Sequence, residues 1–208
     1  LATNLTPIRS SEELAKKADV HVSCICYFGG DPSPQMPHAL RASEIALRRA
    51  QSDDRIMRIC WETNGYMKPP FAKRAAQLSL KSGGCLKFDL KAWDESLHKA
   101  MCGVSNKPSL DNFKAIGEGY YKERPDLPIL TASTLLVPGY VDAEEVGGIA
   151  EFIAEIDPRI PYTLLAFYPT YVMNDLPTTS RRLAEGCYNT AKRAGLERVR
   201  IGNIHLLH

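Results

Sequence analysis

Three short polar clusters stand at the ends of apolar runs, and each holds residue types that can grip a charged ligand. The first is Tyr27-Phe28-Gly29-Gly30-Asp31-Pro32-Ser33-Pro34-Gln35. An apolar run from Val20 to Phe28 stops there at two glycines, an acid and two prolines. Adjacent glycines let the backbone take positive φ, or approach a ligand with no Cβ in the way. Asp31 follows in that opening, and Pro32 and Pro34 stiffen the chain behind it. A carboxylate beside bare backbone N–H and C=O groups suits an ammonium group. The same residues also read as a tight strand-to-helix turn with a capping Asp, and at this level both readings stand. The second cluster is Glu62-Thr63-Asn64-Gly65 and the third is Asp89-Leu90-Lys91.

Thiols are the other candidates for chemistry. Of the six cysteines, Cys24, Cys26, Cys60 and Cys85 fall in strand-like runs, where reduced, buried thiols are expected. Cys24-x-Cys26 puts two thiols on one strand face, which alone is a weak metal signal. The spread fits a cytosolic chain rather than a disulfide scaffold. His21, His38, His98, His205 and His208 show no ligand spacing.

The elements that must position these groups follow from periodicity and punctuation. Strands are expected near 20–28, 56–61, 85–89, 129–137 and 161–168, with a short last strand over 199–202. Helices are expected over 37–51, 71–82, 107–123, 143–156 and 179–194, with a short helix or turn over 93–101. Ser10-x-x-Glu13 is a capping box that starts a short helix over 12–18. Pro69 and Pro70 open one helix and Gly83-Gly84 ends it. Residues 1–9 read as a loop, and Pro125 and Pro128 bracket another. Strand alternates with helix throughout, which argues for an α/β chain with a parallel sheet and helices outside it. Ligands in such folds sit at the carboxyl ends of the strands. Asp31, Thr63, Asn64, Asp89, Lys91 and Tyr168 all fall at strand exits, so the first five are expected to face one cavity of mixed charge.

Gly29-Gly30-Asp31-Pro32, Glu62-Thr63-Asn64-Gly65, Asp89-Leu90-Lys91 and Val137-Pro138-Gly139, in that order, resemble the radical S-adenosylmethionine (SAM) superfamily, in its pyruvate formate-lyase activating enzyme branch. The resemblance runs from Val20 to about Pro169. It implies a partial parallel β/α, TIM-like barrel. It places Gly29, Gly30 and Asp31 against the amino group of SAM, with Asp in place of the more usual Glu. Thr63, Asn64, Asp89 and Lys91 would line the same pocket, with Lys91 facing the SAM carboxylate or, alternatively, paired with Asp89 or Asp94. Glu62 replaces the family's commoner Asp. Val137 belongs to the segment that lies under the adenine. Tyr168, with Phe167, reads either as an adenine-stacking aromatic or as core. A pocket of mixed charge suits a zwitterion attached to a nucleoside, which is what SAM is.

The family's reaction uses a [4Fe–4S] cluster on three thiolates to cleave SAM reductively, and the resulting 5′-deoxyadenosyl radical abstracts a hydrogen atom. The Cys-x3-Cys-x2-Cys motif that holds the cluster is absent from the 208 residues. The resemblance therefore implies one domain over 1–208, a core lacking its first strand and cluster loop, with the cluster cysteines before Leu1 and a cluster only in the full-length protein. No metal ligand is assigned within the chain. The natural substrate would be a glycyl residue of a partner enzyme, another peptide or a small molecule. The alternative is a non-catalytic SAM- or protein-binding domain without a cluster. A net charge of +2 gives no case for nucleic acid or an anionic membrane. No apolar run approaches the ~20 residues of a membrane span, and the expected compartment is the cytoplasm.

Overall fold

The computed structural model describes residues 7–124 and 126–208. Most of the loop expected over residues 1–9, and Pro125 of the next one, lie outside the described residues. The elements run α1 (Ser11–Lys17), β1 (Cys24–Tyr27), α2 (Met36–Ser52), β2 (Arg58–Thr63), α3 (Pro69–Ser82), β3 (Leu86–Asp89), α4 (Glu95–Cys102), α5 (Lys107–Tyr120), β4 (Leu130–Leu136), α6 (Ala143–Ile156), β5 (Tyr162–Ala166), α7 (Arg181–Arg193) and β6 (Val199–Gly202). Local signals set several boundaries. Ser10 and Glu13 form the expected capping box on α1. Asp142 caps α6 through the N–H groups of Glu144 and Glu145. Gly83 ends α3 at φ +77°, a conformation that costs glycine nothing.

All five strand pairings are parallel, and the sheet order is β1-β2-β3-β4-β5-β6. That order decides the architecture. Parallel crossovers are right-handed, so strands laid down in one direction keep every helix on the same side. The other side becomes the concave interior of a partial β/α barrel. On the helix side Ile59, Trp61, Leu86 and Phe88 are buried, with Tyr27 stacked on Trp61 at 4.5 Å between ring centroids. β4 and β5 are mostly buried on both faces, whereas the concave face of β1, β2 and β3 is polar and accessible.

Two expectations are corrected here. The first strand is shorter than the apolar run predicts. Asp19–His21 turns, and the Arg55 guanidinium bonds the carbonyls of Ala18 and Val22, which takes these groups out of any ladder. Val20 and Phe28 are exposed accordingly. The second correction concerns the strand cysteines. Cys24 and Cys26 are exposed, and Cys60 and Cys85 are half-buried. Period-two alternation puts them on the concave face, opposite the apolar residues that meet the helices. The sequence shows the alternation but not which face the helices cover.

Candidate functional site

The exits of β1, β2 and β3 converge on one cavity of about 260 Å³, lined by Phe28, Gly29, Gly30, Asp31, Glu62, Thr63, Asn64, Asp89 and Lys91. Larger clefts of about 510 and 590 Å³ lie between helices on the outer side and collect no such set of strand-end groups. Asp31 and Asp89 therefore look into the same space, as the strand-exit argument requires.

The first loop carries three consecutive residues at positive φ: Gly29 at +77°, Gly30 at +75° and Asp31 at +134°. A Cβ on either glycine would meet no protein atom within 4 Å, so the glycines are required by their dihedrals. The space beside that backbone is open to a ligand. Asp31 is held in its strained conformation by its own hydrogen bonds. Its carboxylate accepts from the Ser33 N–H at 2.8 Å, the Asn64 N–H at 2.6 Å and the Thr63 hydroxyl at 3.1 and 3.2 Å. Asp31 thus ties the β1 exit to the β2 exit. Thr63 is buried, and its Oγ1 also accepts the Gly65 N–H at 3.1 Å. Asn64 Oδ1 accepts the Tyr66 N–H at 2.8 Å, which closes the turn.

The third exit holds an ion pair. Lys91 Nζ lies 3.1 Å from Asp89 Oδ2, and both side chains are partly exposed. The other Asp89 oxygen accepts the Ser133 hydroxyl from β4, whose backbone stands opposite Asp89 in the register. Glu62 is bound by Lys87 at 3.0 Å. Among the residues that line the cavity, three carboxylates face one ammonium. Lys87 offsets Glu62 and protein donors take the Asp31 carboxylate, so the Asp89–Lys91 pair is what a ligand with one cationic and one anionic end would meet. At about 260 Å³ the cavity lies below the ~300–1,000 Å³ of sites that engulf a drug-sized ligand, so it fits the charged end of one.

Two expected contacts fall elsewhere. Val137 is buried in the core and does not line the cavity. Tyr168 is 56 % exposed in the loop after β5, also outside it. Both follow β4 and β5, whose exits lie further round the sheet from β1. Other residues entered without having been singled out. Ser33 and Ser133 hold the two aspartates. Buried Asn112 of α5 donates to the Gly65 and Met67 carbonyls at 2.9 and 2.8 Å, and so fixes the loop after β2. Ser133 could be found from the register; nothing local to Asn112 announces its role.

The open glycine backbone and the Asp89–Lys91 pair fit SAM. A [4Fe–4S] cluster does not fit: among the described residues no three Cys, His, Asp or Glu side chains come together to hold a metal.

Comparison with known proteins bears on the family and the fold. The Radical SAM superfamily matches residues 2–153. An isethionate sulfite-lyase activating enzyme from Desulfovibrio desulfuricans is 33% identical over 142 residues, covering 67% of this chain and 40% of that protein. The chain therefore spans about two fifths of that relative's length. Among solved structures, a domain of a pyruvate-formate lyase-activating enzyme from Bacteroides vulgatus superposes with a TM-score of 0.64 at 22% identity, covering 86% of this chain and 98% of that one. Streptococcus suis SuiB bound to S-adenosylmethionine gives 0.59 at 15% identity, over 95% of this chain and 43% of that one. These likenesses are to the fold, and with the family match over most of the chain they lead to one conclusion: the chain belongs to the Radical SAM superfamily.

Proposed function

We propose that the 208 residues form one unit, the SAM-binding part of a radical SAM enzyme of the activating type. The observation that carries this reading is the shared cavity at three strand exits, with an open Gly29-Gly30 backbone and the Asp89–Lys91 pair beside it. Gly29 and Gly30 would present backbone groups to the ammonium of SAM. Asp89 and Lys91 would meet its amino and carboxylate ends, and Thr63 and Asn64 would hold the wall between them. Asp31 would act by fixing the two loops. Val137 and Tyr168 are retained as contacts to the adenine, reached beyond the cavity where the nucleoside would extend.

A [4Fe–4S] cluster held by other residues would supply the electron for SAM cleavage. Its thiolates would come from residues outside these 208, since the described residues do not converge on one. The substrate class we favour is a glycyl residue in a partner enzyme, supported by the activating-enzyme relative. No helix among the described residues is long and apolar enough to cross a membrane, which fits a cytoplasmic enzyme. The test is anaerobic reconstitution with iron, sulfide and a low-potential reductant. A longer form that carries a Cys-x3-Cys-x2-Cys segment should release 5′-deoxyadenosine, while residues 1–208 alone should release none. Release by the 208-residue chain alone would overturn the assignment of the cluster to other residues.

A further inference from the structure

Four thiols share the concave face of the first three strands, about one two-residue step (~7 Å) below the cavity. In the parallel register Cys26 stands opposite Cys60, and Cys24 opposite Arg58. The pairing of Trp61 with Leu86 makes Cys85 the neighbour of Cys60 on the other side. Cysteine is among the residue types most often fully buried, yet Cys24 and Cys26 are exposed here. Cys24 reaches diagonally across to Cys60, with the sulfurs 3.6 Å apart. The SAM reading uses none of these groups.

We propose that Cys24 and Cys60 are a reactive dithiol, a modification site that takes small disulfides and closes to a bond between β1 and β2. The two thiols are unlike. Hydrogen bonding from Cys85, and then from Cys24, with the Arg58 charge nearby, outweighs burial and draws the Cys60 thiol down to about 6. Burial and the charge on Cys60 push the Cys24 thiol up to about 11. The other groups that face the pair are Cys26 and Cys85, both with raised thiols, and Glu62 with Lys87 one step above. At neutral pH Cys60 is the nucleophile and Cys24 the protonated resolving thiol, the division of labour in reactive Cys pairs. Closing the pair takes the sulfurs from 3.6 Å to about 2.0 Å.

The step balances. The Cys60 thiolate attacks a disulfide R–S–S–R, releases one R–S⁻ and becomes the mixed disulfide. Cys24 gives its proton to solvent and attacks the Cys60 sulfur, which expels the second R–S⁻. Two electrons pass from the pair to the small disulfide, which leaves as two R–S⁻, and the one proton released comes from Cys24. The bond would link the strand that leads to Gly29–Asp31 to the strand that ends at Thr63.

The experiment uses the reduced 208-residue chain and 5,5′-dithiobis(2-nitrobenzoate), followed by trypsin and mass spectrometry. The expected result is a fast phase releasing two thionitrobenzoates, and a bond joining peptides 18–41 and 59–73 through Cys24 and Cys60. Cys60→Ser should slow the fast phase by about tenfold or more. Cys24→Ser should stop at the mixed disulfide on Cys60, with one thionitrobenzoate released. Brief iodoacetamide labelling of the wild-type chain at pH 7, which needs no variant, should mark Cys60 before Cys102 and Cys187. First labelling at another cysteine, or a bond from Cys60 to Cys26 or Cys85 in place of Cys24, with Cys24 and Cys26 told apart by fragmentation of peptide 18–41, would overturn the proposal.

Discussion

Asp31 directs its carboxylate at three protein donors on two loops. It acts as a clamp, and the glycines before it are left to meet a ligand. Its substitution should therefore register in stability as well as in binding. Asp31→Ala strands the Ser33 and Asn64 N–H groups and should cost about 1–3 kcal/mol in urea unfolding. The loosened loops should weaken SAM binding by about tenfold, which corresponds to about 1.4 kcal/mol. Asp31→Glu should recover part of both. A variant that binds SAM more weakly at unchanged stability would mark Asp31 as a direct contact instead. At this scale the sequence disclosed which residue types stand at strand exits. It did not disclose that Ser133 completes Asp89, because a hydroxyl on another segment acquires a partner only through register.

Elements carry the site through close approaches and fixed loops. Gly84 precedes β3, and a Cβ there would fall 1.9 Å from the Ile59 carbonyl oxygen, a backbone atom that cannot step aside. Gly84→Ala should destabilise the chain by more than about 3 kcal/mol, or leave it insoluble, in a denaturation series. Asp157 at the end of α6 contributes through charge. Hydrogen bonds from the Arg159 side chain, at 3.0 and 2.7 Å, hold its carboxyl below the ordinary Asp value. A depressed carboxyl contributes stability that is complete above its unfolded pKa and lost as pH falls through the lower folded value. Unfolding midpoints below about pH 4 should therefore fall less steeply for Asp157→Asn than for the parent chain. Helix and strand types were legible in order, from α1 with its capping box to β6. The first strand was overextended because Val20 and Val22 look strand-like, while the Arg55 side chain, far along the sequence, claims the carbonyls that a ladder would need. The sequence does not reveal that the four strand thiols are accessible, for a related reason: alternation is local, whereas the face that the helices cover is set by the whole sheet.

Over the whole molecule, a sheet laid down in chain order puts every helix on one side and opens the other. That opening explains both features of the concave face: a charged cavity at the strand ends and a row of accessible thiols below it. The central claim is that this cavity holds the charged end of SAM. Its most direct test is isothermal titration of SAM into the 208-residue chain, repeated on Lys91→Ala and on Gly30→Val. Gly30→Val forces a branched side chain onto a residue at φ +75° and fills the open cradle. The account predicts saturable one-to-one binding to the parent chain. It also predicts about tenfold weakening by Lys91→Ala and loss of measurable binding with Gly30→Val, with methionine competing better than adenosine. Absence of saturable binding to a folded parent chain, or binding that neither substitution changes, would contradict it.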